Sequence, residues 1–105
     1  MNTTVTSQPI DLAHLDRQTG GNDVLARDVL RLFLDGSVGD LARLKAASRA
    51  ERREVAHLIL GSARSIVAGA VATAAAAVEA GDSNLAAIEA AIGDARRFIA
   101  AYLGP

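Results

Sequence analysis

The residue best suited to chemistry in this chain is His57, which lies in the segment 56–66 with the sequence AHLILGSARSI. A surface imidazole is largely uncharged at neutral pH and is therefore a nucleophile. Gly61 follows one helical turn later and lacks the side chain that would crowd the imidazole, although glycine costs a helix up to about 1 kcal/mol. The pair predicts that the chain carries a chemical group on His57.

Helical geometry separates the residues around His57 into two faces, because successive residues turn by about 100°. The side opposite His57 is mostly apolar and is expected to face the core; it comprises Val55, Ile59, Ser62, Ala63 and Ile66. The side of His57 is expected to be exposed as a strip, with Arg53, Leu60, Gly61, Arg64 and Ala68 around the histidine. Within this strip, Arg53 and Arg64 would supply positive charge to an anion attached to His57.

A purely structural interpretation of the same residues stays open. Surface histidines are common, and a glycine in a helix often only permits close packing. The sequence around His57 does not suggest a catalytic triad, although a distant carboxylate can approach it in the fold.

Composition limits the kinds of protein this chain can be. Its 105 residues suit one domain, and 50% of them are apolar, which is enough to bury a modest core. A net charge of −1 gives no basic surface for nucleic acid and no polybasic membrane signal. With no cysteine and only two histidines, neither a disulfide nor a dedicated metal site is expected. The absence of a secretory pattern at the start favours a cytoplasmic protein.

The elements that must position His57 are predicted to be helices. We expect residues 1–9 to form a flexible tail and residues 10–105 to form the domain. A short helix capped by Asp11 is followed by a break at 20–21 and by a long helix capped by Asn22 or Asp23. That helix is expected to continue to about Leu44 in spite of two internal glycines.

The second half of the chain predicts three more helices. Ser48 and Glu51 form a capping box for the helix that carries His57, which is expected to end near Ala68. An alanine-rich helix follows over 70–80, and Gly81 ends it. A last helix is expected over 84–103, capped by Asp82 or Ser83. This pattern predicts an all-α fold, an antiparallel up-and-down four-helix bundle with a short extra N-terminal helix.

The segment 56–66 resembles the signature of histidine-containing phosphotransfer (HPt) domains, in which a phosphoryl-accepting histidine is followed by two residues, a lysine, a glycine and usually a serine. His57, Gly61 and Ser62 match that pattern. The stretches 15–23 and 30–34 look like the family's N-terminal segment, so the resemblance extends from about Ile10 to Leu103.

The resemblance implies a function in bacterial two-component phosphorelays. His57 would accept a phosphoryl group from a receiver-domain aspartate and pass it to another, so that the chain would be a phosphoryl carrier without kinase activity. Its expected partners are a response-regulator receiver domain and a hybrid sensor kinase. It would need no cofactor of its own, because the receiver brings the magnesium ion. We expect a monomer that binds neither nucleic acid nor membrane.

One position departs from the family pattern, since Leu60 stands where the family has its lysine. Either Arg53 and Arg64 replace that charge, or transfer is slow and Leu60 enlarges an apolar docking surface that includes Gly61, Arg64 and Ala68. The first interpretation makes the chain an active phosphotransfer protein. The second makes it a transfer-impaired adaptor that binds receiver or kinase domains. A third hypothesis, motivated by the alanine-rich stretch 70–80, is an unrelated helical bundle that associates with itself.

Overall fold

The computed structural model describes residues 8–104, which form five α-helices and no strand. The helices are α1 (Leu12–Gln18), α2 (Asp23–Ala46), α3 (Arg49–Ser65), α4 (Gly69–Glu79) and α5 (Ala86–Leu103). The predicted all-helical fold is therefore confirmed. The part of the predicted tail that spans 1–7 lies outside the described residues, as does the last residue of the predicted domain.

Short polar side chains begin the first three helices at the predicted places. Asp11 Oδ1 accepts a hydrogen bond from the His14 amide at 3.0 Å, and Asn22 Oδ1 accepts one from the Leu25 amide at 3.0 Å. At the start of α3, the Ser48 amide donates to Glu51 Oε1 at 2.9 Å, and the Glu51 amide donates to Ser48 Oγ. These bonds satisfy amides that lack partners within the helix, which fixes where each helix begins.

The long helices pack around one apolar core. Within the described part of the chain, α3 contacts α2 and α4, and α5 also contacts α2 and α4. The most extensive contact is between α3 and α4, where alanines of α4 allow a close approach. The core draws on every helix; its largest fully buried side chains are those of Ile10, Leu15, Leu30, Leu44, Ile59, Ile66, Val71, Ile88, Ile92 and Ile99.

The corner between α3 and α4 differs from the prediction. The helix α3 ends at Ser65 rather than near Ala68, and Gly69 begins α4 instead of marking the break. The Ala68 amide donates to the Ala63 carbonyl at 2.8 Å, a bond that closes the end of α3. It places Val67 at a φ of 57°, a left-handed conformation that a β-branched side chain rarely adopts.

The start of α5 is also later than predicted, at Ala86 instead of Asn84. Asp82 Oδ1 accepts a hydrogen bond from the Asn84 amide, and Asn84 Oδ1 accepts one from the Ala86 amide, both at 2.9 Å. Each side chain thus closes a local turn, and neither Asp82 nor Ser83 caps the helix. By contrast, Gly81 ends α4 as predicted, at a φ of 118°.

Candidate functional site

His57 lies on the exposed surface of α3 and contacts α4. Its side chain is 69% exposed, and its Nδ1 lies 2.7 Å from Oε2 of Glu79, the last residue of α4. An ionised carboxylate only accepts hydrogen bonds, so Nδ1–H is the donor. In the neutral imidazole this leaves Nε2 with its lone pair free. The arrangement therefore fixes which nitrogen is available as a nucleophile.

Glu79 is a residue of the candidate site that the local sequence pattern missed, because it lies 22 residues after His57. The sequence separations nevertheless indicate that His57 and Glu79 can meet. Ala68, in the corner between α3 and α4, is eleven residues from both His57 and Glu79. Since both helices rise by about 1.5 Å per residue, residues equidistant from such a corner come to lie side by side when the helices fold back on each other.

The surroundings of His57 form an open cavity of about 600 Å³, lined by Arg53, Glu54, His57, Leu58 and Glu79. Arg53 and Glu54 both have exposed side chains, and among residues 8–104 neither forms an ion pair. The charges around the imidazole are thus one guanidinium and two carboxylates. Leu58 leaves 56% of its surface exposed beside them.

The two predicted arginines differ in their relation to His57. Arg53 lines the same cavity as the imidazole, one helical turn before it. Arg64 is exposed but lines a separate cavity of about 170 Å³ near the start of α4, together with His14 and Gln18. Arg53 is therefore the cation that the fold brings to His57, whereas Arg64 lies farther along α3.

The predicted exposure of Leu60 and Ala68 is wrong. Leu60 is 6% exposed and Ala68 is 1% exposed, because both belong to the apolar core. Helix α4 packs on the side of α3 where Leu60 lies, so the buried face of α3 is centred closer to Leu60 than the helical angles alone implied. Neither side chain is available to a docking partner in this structure.

The other predicted strip residue, Gly61, is exposed as expected. A Cβ atom added to Gly61 would meet no heavy atom within 4 Å, so packing inside the chain does not require glycine there. The position leaves open space on the surface of α3, one turn after His57. Ser62, which was assigned to the core face, is exposed instead.

A groove between α2 and α3 lies on the other side of α3 from α4. It has a volume of about 230 Å³, and Leu32, Phe33, Gly36, Ser62 and Ile66 are among its lining residues. Leu32 is 72% exposed at its edge. This face presents apolar surface to solvent that the predicted docking residues did not include.

Among residues 8–104 the structure shows neither a helix that could span a membrane nor a group of side chains placed to hold a metal. No helix there is long and apolar enough to cross a membrane. Within the same residues, no group of three or more His, Cys, Asp or Glu side chains is placed to hold a metal ion.

Comparison of the chain with protein-family models, with curated proteins and with solved structures found no match.

Proposed function

We propose that this chain is a histidine phosphotransfer protein that relays a phosphoryl group between receiver-domain aspartates in a two-component phosphorelay. One observation carries the proposal: Nδ1 of the exposed His57 lies 2.7 Å from Oε2 of Glu79, which leaves Nε2 unprotonated as the nucleophile. The protein is a carrier without kinase activity. It works in the cytoplasm, where its partners are a receiver domain and a hybrid sensor kinase.

The transfer step follows from this geometry. The Nε2 lone pair of His57 attacks the phosphorus of a partner's aspartyl phosphate, the P–O bond to the aspartate breaks, and the carboxylate leaves with that electron pair. The Nδ1 proton stays on the ring, where Glu79 balances the positive charge that develops. The partner supplies the magnesium ion, and Arg53 adds one positive charge beside the incoming group.

The proposed architecture is an up-and-down antiparallel bundle of α2, α3, α4 and α5, with α1 as an extra element. Its support is the closed ring of contacts in which each of these helices touches two others. In such a bundle, α3 presents its outer face beside both α2 and α4. The receiver docks on this face, against Gly61 and the exposed leucines Leu32 and Leu58.

Phosphotransfer from purified, phosphorylated receiver domains tests the proposal. Wild-type protein should take up an acid-labile, alkali-stable phosphoryl group, and His57→Gln should take up none while keeping its helical circular dichroism spectrum. His14→Gln is the matched control, because His14 is also exposed, and it should be labelled like wild type. Labelling that survives His57→Gln refutes the assignment of His57.

A second candidate function is favoured by Leu60, a buried and uncharged residue at the position where the family that the chain resembles has a lysine. In this alternative the chain is an adaptor that binds receiver or kinase domains without efficient transfer. The cellular role of His57→Ala separates the two functions, and calorimetry checks that the variant still binds the receiver. The adaptor predicts that His57→Ala preserves both receiver binding and the cellular role, whereas the carrier predicts that binding persists and the cellular role is lost.

A further inference from the structure

The charges around His57 have the wrong sign for storing a phosphoryl group. Its cavity is lined by Arg53, Glu54 and Glu79, whose side-chain charges sum to −1. Arg64 lines a different cavity, and Leu60 brings no charge. A phosphoryl group adds a charge of about −2 at neutral pH, which both carboxylates repel.

The cation in the neighbouring cavity does not cancel this effect. Arg43 lines a neighbouring cavity that Glu54 also borders, but its Nη1 lies 3.5 Å from Oδ1 of Asp40. Glu79 accepts the hydrogen bond from Nδ1 of His57 and so orients the imidazole. Glu54 does not take part in that hydrogen bond, so its charge can be removed without disturbing the orientation of the ring.

We infer that the cavity around His57 destabilises a phosphoryl group on Nε2, so that the chain gives the group up readily and depends on its partner for the positive charge that stabilises it. This inference rests on the proposed function and adds that phosphoryl transfer from the chain to its partner is favoured. On release the Nε2–P bond breaks, its electron pair returns to Nε2, and the phosphoryl group bonds to the partner's carboxylate oxygen. The proton stays on Nδ1, where it is hydrogen-bonded to Glu79, so the leaving group is a neutral imidazole.

The size of the effect follows from Coulomb's law. Glu54 and His57 are three residues apart on α3, so the carboxylate and a phosphoryl group on Nε2 are within roughly 10 Å of each other. In water, charges of −2 and −1 at roughly 10 Å change a rate or equilibrium by about fourfold at low ionic strength. At physiological salt the screening length is about 8 Å, and the effect falls below about twofold. Removing the Glu54 charge should therefore help His57 to acquire the group, and salt should erase the difference.

The test uses phosphoramidate, a small anionic phosphoryl donor, on the intact chain. The rate at which each histidine is labelled is followed by nuclear magnetic resonance of the imidazole nitrogens. At low ionic strength, Glu54→Gln should be labelled at His57 two to four times faster than wild type, and Arg53→Gln should be labelled more slowly by a similar factor. His14 serves as the internal control in every variant, and Asp16→Asn, an exposed residue on α1, matches the charge change.

The outcomes separate this inference from the proposed function. A faster labelling rate in Glu54→Gln and a slower one in Arg53→Gln, with both differences smaller at high salt, support the role of charge. A general loss of folding would change the labelling rate of both variants in the same direction. Equal rates in wild type and Glu54→Gln, or an equal gain in Asp16→Asn, overturn it and leave the carrier function standing. Labelling of His14 without labelling of His57 contradicts the proposed function itself.

Discussion

Removing the carboxylate of Glu79 should slow phosphoryl acceptance by His57. In the folded chain, Glu79 Oε2 lies 2.7 Å from Nδ1 and holds the imidazole in the tautomer that leaves Nε2 unprotonated. In Glu79→Ala the ring is free to place its proton on Nε2, and that tautomer has no lone pair at Nε2. The expected result is a lower rate with an unchanged fold.

The magnitude follows from the exposure of the pair. A hydrogen bond to a charged group contributes about 1.5–3 kcal/mol when it is shielded from water. The His57 side chain is 69% exposed and that of Glu79 is 34% exposed, so water competes and about 1 kcal/mol remains. This corresponds to about a fivefold change in the tautomer ratio, and the rate of acceptance should fall by up to the same factor.

Two measurements check this prediction together. Nitrogen chemical shifts of the imidazole report the tautomer directly, and phosphotransfer from a receiver reports the rate. Glu79→Gln should stay close to wild type in tautomer, because its amide oxygen still accepts from Nδ1–H. Glu89→Ala is the control, since Glu89 forms an exposed ion pair with Lys45 elsewhere on the surface. An unchanged rate in Glu79→Ala, despite a shifted tautomer, would refute the positioning role.

Three further predictions concern the helices that hold the site. Val67→Gly should have a free energy of unfolding about 1 kcal/mol above that of Val67→Ala in urea denaturation, because both variants lose the partly buried isopropyl group and only glycine relieves a Cβ atom at a φ of 57°. Leu60→Lys should lower the free energy of unfolding by roughly 2–4 kcal/mol, since Leu60 is 6% exposed, and Leu60→Met should cost under about 1.5 kcal/mol in the same assay. Hydrogen bonds from the Ser48 amide and hydroxyl lower the pKa of Glu51 below its ordinary value of 4.5, so the stabilisation is full above pH 4.5 and is lost as the pH falls through the lowered pKa. Glu51→Gln should remove this pH dependence from thermal unfolding curves.

The starts of the first three helices were predictable from the sequence, because a capping side chain bonds an amide only three residues away. Asp11, Asn22 and Ser48 each bond an amide three positions later, as their residue types indicate. The predicted start of α5 is wrong because Asp and Asn side chains can either cap a helix or close a local turn, and here Asp82 and Asn84 close turns. Residue type alone does not decide between capping a helix and closing a turn.

The candidate site was only partly predictable, because tertiary packing decides the rest. Helical angles give the positions of His57, Leu60 and Gly61 relative to one another, but not which arc of α3 the neighbouring helix covers. Helix α4 covers the arc of Leu60, and it also delivers Glu79 to the imidazole. Both facts depend on how α3 and α4 fold together.

The central claim is that Nε2 of His57 accepts a phosphoryl group from a receiver domain. Its most direct test is nuclear magnetic resonance of nitrogen-15-labelled chain after incubation with a panel of phosphorylated receivers. The account predicts phosphorus coupling at Nε2 of His57, no coupling at Nδ1, and no signal in His57→Gln. Phosphorylation at Nδ1, or a wild-type chain that stays unphosphorylated with every receiver, would contradict it.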